Sequence, residues 1–84
     1  MMIIRVKLYA SLGKYLPEGS VRNEIDQTVS EGATVTEILS GLNVPGEMCH
    51  LVLVNGNYLA PGERDECALK EGDHLAVWPP VAGG

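Results

Sequence analysis

The sequence predicts an α+β fold, in which a mixed sheet carries one main helix across a single face. Three features predict it: alternating apolar residues near the start, a capped amphipathic helix in the middle, and an Asn-Gly turn in the second half. With 84 residues, of which 45% are apolar, the chain has room for one domain. The predicted order of strand, strand, helix, strand, short strand and strand is typical of an α+β roll.

The first strand is predicted over residues 2–10, because every second residue there is apolar. The apolar positions are Met2, Ile4, Val6, Leu8 and Ala10. Arg5 and Lys7 fall on the opposite face, which is the period-two pattern of a half-buried strand. Residues 11–16 then predict a short helical turn that ends at Pro17, and residues 21–29 predict a second, more exposed strand.

The helix is predicted to begin at Thr34. Glu37 follows three residues later, so the two side chains can form a capping box with the free backbone N–H groups of the first turn. Apolar residues recur at helical spacing, at Val35, Ile38, Leu39 and Leu42. Asn43 and Pro45 predict the end of the helix.

The second half of the chain predicts a hairpin and a final strand. Residues 50–54 form a third strand, and Asn55 with Gly56 tolerates the positive φ angles of a type I′ turn. Residues 57–59 return as a short strand, and residues 74–78 form the last one. Between them, the charged run Glu63, Arg64, Asp65 and Glu66 is interpreted as a solvated loop, and Glu71, Gly72 and Asp73 as a turn.

Composition excludes several functions. The net charge of −5 and the scattered basic residues disfavour a nucleic acid partner, and no run approaches the roughly 20 apolar residues of a membrane span. We therefore expect no nucleic acid and no membrane partner, and a cytoplasmic location. Cys49 and Cys67 are expected to be reduced thiols, and His50 and His74 lack a third ligand at metal spacing. No catalytic arrangement of side chains is recognisable, so the chain is not expected to be an enzyme.

The last six residues differ from the rest. We predict a folded domain over residues 1–78 and an extended tail over residues 79–84. Six residues can project roughly 20 Å, and two prolines stiffen the stem and remove two backbone donors. The tail is Pro79, Pro80, Val81, Ala82, Gly83 and Gly84. Its small end residues would let another molecule approach the terminal carbon closely.

A Gly-Gly end on such a roll resembles ubiquitin and its sulfur-carrier relatives. Trp78 to Gly84 is similar to the end of the molybdopterin synthase small subunit, in the MoaD/ThiS family, where Phe is more usual than Trp78. Further likeness lies at Ala10, Ser11 and Leu12, at Thr34, Val35, Ile38 and Leu39, at Val54, Asn55 and Gly56, and from Leu69 through Lys70, Glu71 and Gly72 to Asp73. The resemblance implies a ubiquitin-like β-grasp fold.

The resemblance also implies a function for the tail. An adenylating enzyme related to ubiquitin-activating enzymes would use ATP to activate Gly84, and a sulfur donor protein would convert it to a thiocarboxylate. Gly84 would then deliver sulfur in the active site of the large subunit of molybdopterin synthase. Gly83 and residues 79–82 would provide reach, and Trp78 a docking contact. The small chain itself would bind no cofactor and no metal.

Three alternatives stay open. The same Gly84 thiocarboxylate would serve another sulfur pathway, such as thiamine thiazole, cysteine or tungsten cofactor formation. Alternatively, the chain would be a protein modifier joined through Gly84 to a lysine of a target. The third alternative is an interaction module whose Gly-Gly end has no chemical role. For the charged run 63–66, the alternative to a solvated loop is a contact with the activating enzyme.

Overall fold

The fold is a five-stranded mixed sheet with one main helix. The computed structural model describes residues 1–80. Its elements are β1 (Met2–Leu8), β2 (Glu24–Val29), α1 (Val35–Gly41), β3 (Leu51–Val54), β4 (Asn57–Tyr58) and β5 (His74–Trp78), with short 3-10 helices at Ala10–Tyr15, Gly46–Met48 and Pro61–Glu63. The predicted α+β class and the order of the elements are confirmed.

The strand order is β2-β1-β5-β3-β4. The two strands that are furthest apart in sequence, β1 and β5, pair in parallel, while the other neighbouring strands are antiparallel. A parallel pair needs a long crossover, and here the connection includes α1. The order places the end of β5, and therefore the start of the tail, in the middle of one sheet end.

One sheet face is closed by a continuous apolar core. The even residues of β1 are all buried, as the alternation predicted, and Val52, Leu75 and Val77 join them from β3 and β5. Val35, Ile38 and Leu39 of α1 belong to the same core cluster. The other face, which carries the odd residues of β1, has no helix across it within residues 1–80 and is called the open face below.

The helix begins as predicted. The Glu37 backbone N–H donates to Thr34 Oγ1 at 3.2 Å, and the Thr34 backbone N–H donates to Glu37 Oε1 at 2.9 Å, so both halves of the capping box are present. Asn43 has a φ of 63°, a left-handed conformation that ends the helix. Among residues 1–80, no helix has the length and apolarity to cross a membrane.

The Asn-Gly hairpin is also confirmed. Asn55 and Gly56 have φ angles of 52° and 83°, as a type I′ turn requires, and Val54 pairs with Asn57 across it. The final turn has Gly72 at a φ of 84°, where a side chain would be strained.

Two predicted strand boundaries are wrong by two residues or more, and two others by one residue, since β3 begins at Leu51 and β4 ends at Tyr58. β1 ends at Leu8, and Ala10 is exposed with a φ of 51° at the start of a 3-10 helix. β2 begins at Glu24 rather than at residue 21, because Arg22 and Asn23 have left-handed φ angles of 53° and 65° and form a turn. Backbone conformations of this kind leave little trace in hydrophobic periodicity, so the alternation extended each strand too far.

Candidate functional site: the base of the tail

The last residue of β5 is held from its partner strand. The Trp78 carbonyl accepts a hydrogen bond from the His50 backbone N–H at 3.0 Å, and Leu51 lies opposite Trp78 in the antiparallel register. On the other side of β5, the Val77 carbonyl accepts from the Tyr9 N–H at 3.0 Å. These two bonds fix the backbone from which the tail leaves.

The stem of the tail begins against the folded body. Pro79 is buried, whereas Pro80 is exposed. The predictions for Val81, Ala82, Gly83 and Gly84 lie outside the described residues. The structure therefore gives the position of the stem and leaves the roles predicted for the four end residues as predictions.

An aromatic pair lies beside the stem. The rings of Tyr9 and Trp78 stack with 4.5 Å between their centroids and 16° between their planes. Tyr9 immediately follows the end of β1, and Trp78 ends β5, so the parallel pairing of these strands brings the two rings together. Stacked aromatic side chains are rigid and bring a large apolar surface with little entropy to lose on binding.

The open face has an apolar half next to this pair. Leu53 and Ala76 are opposite each other on β3 and β5, both half-buried, and Tyr58 on β4 is 59% exposed. With Leu51 and Trp78, these residues form what we call the apolar half of the open face. A shallow hollow of about 470 Å³ lies along it, lined by Leu53, Ala76 and Trp78 and, at its polar edge, by Lys7, Asn55 and His74.

The opposite half of the open face is charged. Arg5 forms ion pairs with Asp26 at 2.9 Å and with Glu24 at 3.2 Å across β1 and β2. Hydrogen bonds to Asp26 and then to Glu24 raise the pKa of the Arg5 guanidinium. Because both ion pairs are partly exposed to solvent, they add little to the stability of the fold. Their main effect is to make this half of the open face polar.

The charged run after β4 is only partly a solvated loop. Glu63, Asp65 and Glu66 are exposed, as predicted, but Arg64 is 9% exposed, which makes it the one buried charged side chain among residues 1–80. Arg64 Nη1 donates to the Cys49 carbonyl at 2.8 Å. The interpretation of Arg64 as solvated is wrong, since a local charge pattern carries no information on a partner 15 residues away.

The two cysteines are free thiols. Cys49 is buried, and this burial raises the pKa of its thiol, while the nearby Arg64 guanidinium lowers it to a smaller extent. A buried thiol with a raised pKa is a poor nucleophile at neutral pH. Within residues 1–80, no three His, Cys, Asp or Glu side chains lie close enough together to hold a metal ion.

Comparison with known proteins gives a family. The model of the ThiS family matches residues 7–84. No curated protein matches the sequence. Several solved structures do match it. The HVO 2177 protein of Haloferax volcanii is 27% identical, with a TM-score of 0.76 over 99% of this chain and 87% of that one. Small archaeal modifier protein 1 of H. volcanii is also 27% identical, with a TM-score of 0.68 over 96% of this chain and 100% of that one.

A more distant structure shares the fold. It is a chain in the complex of subunits 1 and 2 of the molybdopterin-converting factor from Helicobacter pylori, at 18% identity and a TM-score of 0.60, covering 99% of this chain and 100% of that one. The relatives and the sheet topology agree on a ubiquitin-like β-grasp protein, either a sulfur carrier of the ThiS and MoaD kind or a ubiquitin-like modifier. Since the family model matches all but the first six residues, this chain belongs to the ThiS family.

Proposed function

We propose that this protein is a sulfur carrier for molybdopterin formation, whose Gly84 carboxylate becomes a thiocarboxylate and acts with the large subunit of molybdopterin synthase. The observation that supports this most is the base of the tail. β5 is the central strand of the sheet, and backbone hydrogen bonds hold its end on both sides. The chain then continues past the Tyr9–Trp78 pair to Pro80, which is exposed.

The chemistry requires activation of Gly84, because direct substitution by sulfur at a carboxylate would need oxide as the leaving group. A carboxylate oxygen attacks the α-phosphorus of ATP and pyrophosphate leaves, which gives an acyl adenylate. A persulfide of the sulfur donor protein attacks the carbonyl carbon and AMP leaves. A thiol then attacks the donor's sulfur in the resulting acyl disulfide, which forms a disulfide and releases the Gly84 thiocarboxylate.

The apolar half of the open face is the proposed docking surface for the adenylating enzyme and for the large subunit. It includes Trp78 of the aromatic pair and adjoins the stem, so a partner that binds there is next to the tail. Aromatic residues in the centre of an interface commonly carry most of its binding energy. The net charge of −5 favours partners with a basic surface, since opposite charges steer the encounter.

The catalytic side chains are assigned to the partners. The buried thiol of Cys49 is unsuited to sulfur relay, because its raised pKa leaves little thiolate at neutral pH. The H. pylori complex of subunits 1 and 2 of the molybdopterin-converting factor supports a large subunit as a partner. The two free thiols fit a reducing compartment, so we assign the protein to the cytoplasm.

A second candidate function is protein modification. Small archaeal modifier protein 1 has the same fold at 27% identity, and this relative favours the alternative. Both functions begin with the Gly84 adenylate and differ in the group that attacks it. A persulfide gives the carrier, whereas a lysine amine of a target gives an isopeptide bond.

Deletion of Gly84 tests the role of the tail. The shortened chain still ends in a glycine carboxylate, but its reach is about 3.3 Å less, so we expect sulfur loading to be lost while folding is unchanged. Intact mass after incubation with the adenylating enzyme, ATP and a sulfur donor measures loading. Deletion of Met1, which is 85% exposed at the other end, is the matched control and should leave loading intact. Sulfur on the Gly84-deleted chain would contradict the proposal.

A further inference from the structure

Arg64 lies two hydrogen bonds from the base of the tail. Its Nη1 donates to the Cys49 carbonyl at 2.8 Å, and the His50 N–H donates to the Trp78 carbonyl at 3.0 Å. The Cys49 carbonyl and the His50 N–H belong to the same peptide group. One planar peptide therefore connects the buried guanidinium to the carbonyl that is bonded directly to Pro79.

The arrangement strengthens the bond to Trp78. A cationic donor on the carbonyl side polarises the peptide and makes its N–H a better donor, because hydrogen bonds in a chain reinforce one another. The effect is larger where water is excluded, and Arg64 and Cys49 are 9% and 7% exposed.

The segment that carries Arg64 is also held against α1. The Arg64 carbonyl accepts from the Thr36 N–H of α1 at 3.3 Å, and Asp65 Oδ1 accepts from Thr36 Oγ1 at 2.5 Å. Arg64 Nη2 lies 3.5 Å from the His50 carbonyl, a second and weaker contact with the same segment. No carboxylate within residues 1–80 forms an ion pair with Arg64, so its charge acts on backbone carbonyls.

We propose that Arg64 is a positioning residue for the tail. Through the peptide between Cys49 and His50, it fixes the Trp78 carbonyl and hence the direction in which Pro79 and Pro80 leave the sheet. This inference rests on the proposed function, since direction matters only if a partner must receive Gly84 at its active site. Misplacement of a reacting group by about 1 Å can cost a large factor in rate.

The first test is structural and independent of sulfur chemistry. Arg64→Met keeps an unbranched apolar stem but loses every side-chain donor. In this variant the His50 amide should exchange its hydrogen roughly tenfold faster, as the loss of one charged hydrogen bond implies. The Tyr9 amide, which binds the neighbouring Val77 carbonyl from the other side, is the internal control and should change only with global stability. Equal acceleration of both amides would overturn the proposal.

The second test is kinetic. For sulfur loading of the intact chain by the adenylating enzyme, Arg64→Met should lower kcat about tenfold and leave KM near that of the original chain, because no side chain of the docking surface is replaced. Arg64→Lys, which keeps the charge and a single ammonium group as donor, should recover part of the loss and replaces Arg64→Met if that variant does not fold. Ile4→Val, in the core far from Trp78, is the control for reduced stability.

The outcomes separate the two proposals. If the original chain gains no sulfur, the proposed function fails, and the exchange test still decides the role of Arg64 at the tail base. If the original chain is loaded and both Arg64 variants match it in kcat and in His50 exchange, the positioning role is wrong. A fall in kcat that Ile4→Val reproduces to the same degree would likewise overturn it.

Discussion

The two faces of the sheet use the same kinds of residue for different purposes. On the helix-covered face, Leu8, Val52 and Val77 are completely buried and join one core. On the open face, Leu53 lies on β3 beside Val52, and Trp78 lies on β5 beside Val77. Both stay partly exposed, because no helix within residues 1–80 crosses this face. The comparison indicates that one face stabilises the fold, and that the apolar half of the other is uncovered within residues 1–80, as the proposed docking surface requires.

The largest expected difference between the faces is in stability. Leu8→Ala should lower the free energy of unfolding by about 3 kcal/mol, because it leaves a cavity in a fully buried site. Leu53→Ala removes the same atoms from the open face and should lower it by about 1 kcal/mol. Urea unfolding of both variants measures the difference, and equal losses would show that the open face is part of the core.

The next largest effect should be on partner binding. Trp78→Ala removes half of the aromatic pair and should raise KM for sulfur loading by about tenfold, as for a central interface residue. Ile3→Ala is the matched control, since Ile3 is an apolar residue on the open face but 49% exposed and outside the apolar half. A similar rise in KM for both variants would contradict a localised docking surface.

The smallest effect should be a pH dependence that originates at Cys49. Burial raises the pKa of this thiol, so its stabilisation is fully present below the pKa of the unfolded thiol and is lost as the pH rises through the folded pKa. The original chain should therefore lose stability at alkaline pH faster than Cys49→Ala. Urea midpoints of both chains over an alkaline series measure this, and parallel curves would exclude the effect.

Local signals predicted much of the fold. The alternation in β1, the capping box of Thr34 and Glu37, and the Asn55–Gly56 turn each depend on residues within a few positions, and the structure confirms all three. Such signals are strong because the hydrogen bonds or side-chain faces that they describe are local. The last strand, predicted over residues 74–78, is observed over the same range.

Features that depend on distant residues could not be predicted this way. The stack of Tyr9 on Trp78 joins residues at opposite ends of the chain, and it follows from the parallel pairing of β1 with β5. The burial of Arg64 depends on acceptors at Cys49 and His50, beyond the reach of a charge pattern. The left-handed turn at Arg22 and Asn23 lies between Val21 and Ile25, whose shared parity predicts one continuous strand.

The central claim concerns Gly84, and intact mass spectrometry of the original chain tests it most directly. After incubation with the adenylating enzyme, ATP and a persulfide sulfur donor, followed by a thiol, we predict the mass increase of one oxygen-to-sulfur exchange, located by fragmentation at Gly84. An unchanged mass under conditions in which the enzyme forms the acyl adenylate would contradict the carrier. Conjugates to target lysines in place of that exchange would identify a modifier instead.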